Sequence, residues 1–153
     1  MDAHDLETFI VAAKRATYVG RGEPAEPSRT GSHDLTFAQG PFRYRDSYFG
    51  GTDFLGQEVV WRDNEPIWAM SYYGYIIRPE LIDAAKAGAT IRGALSTLYQ
   101  EGRFLGGFEW IGPHGVYRDR SSGGVAHFQG RESIRVGGAE AYALNYFGGL
   151  IKP

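Results

Sequence analysis

The chain contains no cysteine. That removes disulfide staples, a thiolate nucleophile and any Cys-bearing zinc site, and it makes a reducing, cytoplasmic setting the expectation. No apolar run approaches the roughly 20 residues of a membrane-spanning helix, and the stretch from Met1 to Ala16 is too acidic and amphipathic for a secretion signal, so no membrane partner is expected. Charge of one sign is also lacking. Sixteen Lys and Arg lie scattered among eighteen Asp and Glu, for a net charge of −2. Nothing here clusters to displace counterions from phosphates, and with no helix-turn-helix, zinc-finger or RNA-recognition pattern, direct nucleic-acid binding is not expected.

Histidine is scarce as well. His4, His114 and His127 miss metal-ligand spacing, so no metal is implied. His33-Asp34, with Ser28 and Ser32 nearby, lacks a nucleophile elbow and reads as a solvated turn. Neither Gly50-Gly51 nor Gly123-Gly124 runs into a helix N-terminus, so neither reads as a phosphate cradle and no cofactor is expected.

What the chain does have is glycine, 22 of them, and an aromatic share of 14%, a composition suited to strands and tight turns. At 153 residues it is long enough to bury one core as a single domain. Leu6, Phe9, Ile10 and Ala13 keep helical spacing, with Asp2 or Asp5 as N-cap, and predict an amphipathic helix over 3–17. Residues 20–40 read as a long irregular segment, a candidate lid. Strands are expected at 42–49, 54–62 and 66–77, a second helix from Pro79 to the stop at Gly102, and further strands at 107–111, 116–120, 125–136 and 140–151.

The second half echoes the first. Residues 54–77 laid over 128–151 at an offset of 74 match at Phe54/Phe128, Gly56/Gly130, Glu58/Glu132, Ala69/Ala143, Tyr72/Tyr146, Gly74/Gly148 and Ile77/Ile151. Chance composition gives about one or two such identities. Upstream, Tyr44-Arg45-Asp46 resembles Tyr117-Arg118-Asp119 at an offset of 73. The expectation is an α+β domain spanning 1–153, mainly antiparallel sheet, built from two duplicated hairpin or meander units (about 1–77 and 78–153), each preceded by a helix.

Two-residue turns at Asp63-Asn64 and Gly137-Gly138 would set Glu58 opposite Ala69 and Glu132 opposite Ala143, both acids facing the core with Gly56 and Gly130 leaving a gap beside them. Two readings follow. Glu58 and Glu132 anchor a flat aromatic or cationic small molecule in a cavity walled by Phe49, Trp68, Tyr72, Tyr73, Tyr146 and Phe147. Or a four-residue turn at Gly50–Asp53 sets Arg45 across from Glu58, Arg118 serves Glu132, and both acids are internally paired. If the first turn instead sets Asp46 on the face of Glu58, a hydrolase-type acid/base pair of Asp46 with Glu58 or Glu132 becomes the enzymatic alternative. A third reading is a homodimer formed through an aromatic face around Trp61, Trp68 and Met70.

The runs Ser28-Arg29-Thr30-Gly31-Ser32-His33-Asp34-Leu35, Tyr44-Arg45-Asp46-Ser47-Tyr48-Phe49-Gly50-Gly51 and Phe54-Leu55-Gly56-Gln57-Glu58-Val59-Val60-Trp61 resemble a bacterial domain family of unknown function. That family occurs alone or behind a helix-turn-helix module in transcription regulators. The resemblance implies effector sensing and assigns no catalytic residue. The expected function is therefore a non-catalytic small-molecule-binding or sensor domain.

Overall fold

Period-two alternation with β-branched and aromatic residues dominates the chain after residue 33, and it folds accordingly. The computed structural model describes residues 2–20 and 22–153. It runs α1 (Ala3–Lys14), a π-helical turn (Arg15–Val19), β1 (Glu23–Ala25), β2 (His33–Gln39), β3 (Phe42–Gly50), β4 (Phe54–Arg62), β5 (Glu65–Ile76), α2 (Ala84–Gln100), β6 (Phe108–Gly112), β7 (Gly115–Gly124), β8 (His127–Val136) and β9 (Ala139–Leu150). Asp2 caps α1 by accepting from the His4 amide, and Asp83 caps α2 by accepting from the Lys86 amide. Gly102 ends α2 at φ +75°, a left-handed stop that only glycine adopts at no steric cost.

The strands form one antiparallel sheet in the order β1-β2-β3-β4-β5-β9-β8-β7-β6. Each helix thus precedes a meander, β2 to β5 after α1 and β6 to β9 after α2, and the meanders join through the antiparallel β5–β9 pair. Tyr72 lies opposite Tyr146 at that seam. Both helices pack on one face, where Leu6, Ile10, Val60, Trp68, Ala94, Leu98, Tyr117, Ile134 and Tyr142 are sealed from solvent. Each large apolar side chain so buried contributes about 1.5–3 kcal/mol. Trp68 anchors this layer: it stacks on Phe128 at 5.8 Å, meets Phe104 edge-on, and its indole N–H donates to the Val125 carbonyl at 3.0 Å. The opposite face leaves Leu55, Tyr73 and Phe147 exposed.

Five expectations change. Residues 20–40 are not an irregular lid: β1 and β2 lie within them, because Leu35 and Phe37 alternate with polar neighbours and find a partner strand in β3. Pro79 lies in the turn before α2, which starts at its Asp83 cap. Both two-residue turns exist, at Asp63-Asn64 and Gly137-Gly138, all four residues with positive φ. A bulge follows each, between Val60 and Trp61 and between Ile134 and Arg135, and shifts the register by one. Glu58 therefore opposes Met70 and Glu132 opposes Leu144, while Ala69 and Ala143 pair with Val59 and Ser133. Of the aromatic face expected around Trp61, Trp68 and Met70, Trp61 is half-buried, while Trp68 and Met70 are no surface because they are buried under the helices.

The fifth change concerns the gap foreseen beside the acids. A Cβ at Gly56 would lie 2.4 Å from the Tyr72 hydroxyl, and one at Gly130 would lie 2.2 Å from Tyr146 ring and hydroxyl atoms. The two tyrosine rings thus lie across the bare backbone of β4 and β8. Gly130→Ala should cost about 1–3 kcal/mol in urea unfolding, and Gly130→Ala with Tyr146→Ala should cost clearly less than the sum of the two single losses. Simple additivity would contradict this packing.

Candidate functional site

Regular hairpin pairing places an aspartate against a glutamate in each meander: Asp46 pairs with Glu58 across β3 and β4, and Asp119 pairs with Glu132 across β7 and β8. Even spacing along each strand turns all four toward the helices. Asp46, Glu58 and Asp119 are buried; Glu132 is half-buried because one side borders a cavity. Carboxylates in such surroundings need donors, and tyrosines supply them in matched positions. Tyr44 donates to Glu58 Oε1 at 2.5 Å and Tyr72 to Asp46 Oδ1 at 2.6 Å. Tyr117 donates to Glu132 Oε1 and Tyr146 to Asp119 Oδ1, both at 2.8 Å.

The resemblance between halves stops at the cation. Lys14, at the end of α1, reaches down to Glu58 with Nζ 2.8 Å from Oε1 and 3.0 Å from Oε2. It also meets Met70 Sδ at 3.3 Å and lies over the rings of Tyr18 and Phe104. Tyr18, in the π-helical turn, donates to Glu58 Oε2 at 3.2 Å. Glu58 is thereby saturated. Among the described residues Glu132 and Asp119 each receive one side-chain hydrogen bond, and α2 lines their surroundings with Ile91, Leu95, Leu98 and Tyr99, none of them cationic. Burial, then the neighbouring Asp119, pushes Glu132 up to about 7. Burial pushes Asp119 up to about 6. In the first pair burial, then Glu58, pushes Asp46 up to about 7.

A cavity of about 80 Å³ lies between these groups and the helices and is lined by Lys14 and Glu58 from the first half and by Asp119 and Glu132 from the second. A second cavity, of about 330 Å³, adjoins it across Tyr18, Phe54, Tyr72, Ile91 and Tyr142 and is lined by Asp46 and Arg92. Two buried polar atoms have no partner among the described residues, Asp46 Oδ2 and the Tyr142 hydroxyl. Asp46 borders the larger cavity and Tyr142 borders both. No cluster of metal-binding type occurs among the described residues.

Of the residues singled out from sequence, Glu58, Glu132, Tyr72 and Tyr146 line the smaller cavity and Asp46 the larger. Trp68 shares their face but is packed into the core, away from both cavities. Arg45 does not oppose Glu58. It pairs with Val59 and points to the other face, where its guanidinium bonds Asp34 at 2.6 Å. Burial alone would raise Asp34, but hydrogen bonds from Ser32, Arg45 and Ser28 outweigh it and hold this carboxyl well below the usual range. Arg118 likewise bonds Glu109, not Glu132. Phe49, Tyr73 and Phe147 also fall on that outer face, where Phe49 lies under the Arg29 guanidinium.

Sequence reasoning missed Lys14, although it stands four residues after Ile10 on the apolar stripe of α1. It also missed Asp119, which the offset of 73 from Asp46 marks.

The family model described as "Domain of unknown function (DUF5680)" matches residues 46–151, and the chain belongs to that family. No curated protein and no solved structure matches it. The matched residues include all four acids, while Lys14 and Tyr18 precede them.

Two outcomes test this electrostatic arrangement. Lys14→Met leaves Glu58 buried without its cation and should cost about 3–5 kcal/mol in urea unfolding at pH 7. Adding Glu58→Gln should recover part of that loss; an unchanged stability for Lys14→Met would contradict the pairing. The raised carboxyls bind protons more tightly folded than unfolded, so their contribution is full below about pH 4, the unfolded value, and is lost as pH rises through about 6 and 7. Glu132→Gln should therefore gain stability on the native protein between pH 5 and pH 8. A constant difference across that range would contradict the assignment.

Proposed function

We propose that the protein is a non-catalytic domain that binds a small cationic molecule in the cavities beneath its two helices. The observation that carries this reading is the pair of buried polar atoms without partners, Asp46 Oδ2 and the Tyr142 hydroxyl, at two adjoining cavities. Such groups cost free energy unless something satisfies them, and a ligand offering N–H donors on a positive charge satisfies a carboxylate best. Aromatic walls from Tyr18, Phe54 and Tyr72 suit the rest of a cation.

The matched registers support reading the two halves as one duplicated unit within a single domain. A sensor role, with occupancy reported to a helix-turn-helix partner, rests on the sequence resemblance and follows from the same cavity. Among the described residues no helix is long and apolar enough to cross a membrane.

An acid/base hydrolase is the second reading. It is favoured by one observation: Asp46 sits directly across from Glu58, one carboxyl pushed up to about 7 and the other holding an ammonium, which is how paired carboxyls divide acid and base roles.

The test is a thermal-shift series with benzamidinium, phenethylammonium and their neutral analogues. A cation should raise the melting temperature by several degrees, since a hundredfold excess over Kd adds about 2.7 kcal/mol, and Asp46→Asn should remove the effect. Binding should strengthen from pH 6 to pH 8 as Asp46 ionises, in a setting where Glu58 opposes and Lys14 favours that ionisation. Equal shifts from the neutral analogues, or turnover of glycosides that Asp46→Asn abolishes, would overturn the non-catalytic cation reading.

A further inference from the structure

The protein carries a resident copy of the interaction that its second acid pair lacks. In the first half Glu58 is met by Tyr44 across β3, by Met70 across β5, and by the ammonium of Lys14 descending from α1. In the second half Glu132 is met by Tyr117 in the place of Tyr44 and by Leu144 in the place of Met70. Tyr146 holds Asp119 as Tyr72 holds Asp46. Each strand residue around the first acid has a matching residue around the second, whereas the ammonium of Lys14 and the hydroxyl of Tyr18, both brought by α1 and the turn after it, have none among the described residues. Glu132 and Asp119 instead line the 80 Å³ cavity together with Tyr99 and Leu98 of α2.

We propose that Glu132 and Asp119 form a binding subsite for the primary ammonium group of an alkylamine, held as Lys14 Nζ is held by Glu58. This rests on the cavity reading given above and narrows it to a chemical class. The hydrogen-bond pattern supports the narrowing. An ammonium offers three donors from a compact centre, and Lys14 spends its donors on both oxygens of one carboxylate and on the sulfur beside it. A quaternary ammonium has the charge and none of the donors. Other charged groups near the subsite are already engaged: Arg103, which bears on Asp119, bonds Glu101 and the carbonyls of Leu105 and Gly107, and Lys14 remains on Glu58.

Binding of n-butylammonium, tetramethylammonium, benzamidinium and 1-butanol, each at millimolar concentration, should be measured by calorimetry and thermal shift on the native protein and on Glu132→Gln. Butylammonium should bind saturably, with Glu132→Gln weakening it by roughly tenfold or more, while tetramethylammonium and butanol leave the subsite empty. Lys14→Ala supplies an independent arm, because it opens the matching place at Glu58: butylammonium should raise the melting temperature of that variant more than that of the native protein. If Lys14→Ala does not fold, recovery of folding by added butylammonium is the same readout. Failure of butylammonium to bind, or binding that Glu132→Gln leaves intact, overturns the subsite. Should benzamidinium bind where butylammonium does not, the broader cavity reading stands and the ammonium subsite falls; should no cation bind, both fall.

Discussion

Four carboxyls buried under two helices, with a single lysine inserted among them, constitute the constraint around which this molecule is organised. Four charges of one sign in an apolar layer are untenable without donors, and tyrosines on neighbouring strands provide one hydrogen bond to each acid. Those bonds require the tyrosine rings to lie flat over the sheet, which in turn requires bare backbone at Gly56 and Gly130. Gly56, Gly130, the four tyrosines and the strand bulges thus serve one electrostatic arrangement. The bulges matter most, since without them Glu58 and Glu132 would face Ala69 and Ala143, and Tyr72 and Tyr146 would turn outward.

The first acid pair solves the problem locally. Lys14 neutralises Glu58, and the π-helical turn after α1 carries Tyr18 to the second oxygen of the same carboxylate. Such turns are often found at functional positions, and here one sets the wall between the two cavities. The second pair has tyrosines but no lysine. Burial pushes up one carboxyl of the first pair and both of the second, and the two pairs differ in that, among the described residues, Glu58 alone receives an ammonium.

Much of the fold was legible in the sequence, and the errors have identifiable physical causes. Strand identity followed from alternation, the start of α1 from Asp2 and the end of α2 from Gly102. Register was misjudged because a bulge leaves no compositional trace at Val60 or Ile134, and one residue of shift exchanges the faces of a whole strand. This single shift moved Ala69 and Ala143 off the helix face and brought Tyr142 onto it. Likewise the pairing of β3 with β4 put Asp46, not Arg45, against Glu58. Residues 33–39 were hidden by the glycines and prolines before them, although Leu35 and Phe37 alternate as a strand should. Lys14 went unnoticed since a lysine on an apolar stripe usually lifts its charge to solvent; only the depth of Glu58 draws it inward.

The most direct measurement is the titration of individual carboxyl carbons by NMR, with Glu132 and Asp119 assigned through substitution. The account predicts that Glu132 ionises near 7 and Asp119 near 6, because burial penalises their ionised forms. Midpoints near 4 for both would show that water or a cation already serves them, and the distinction between the two halves would be lost.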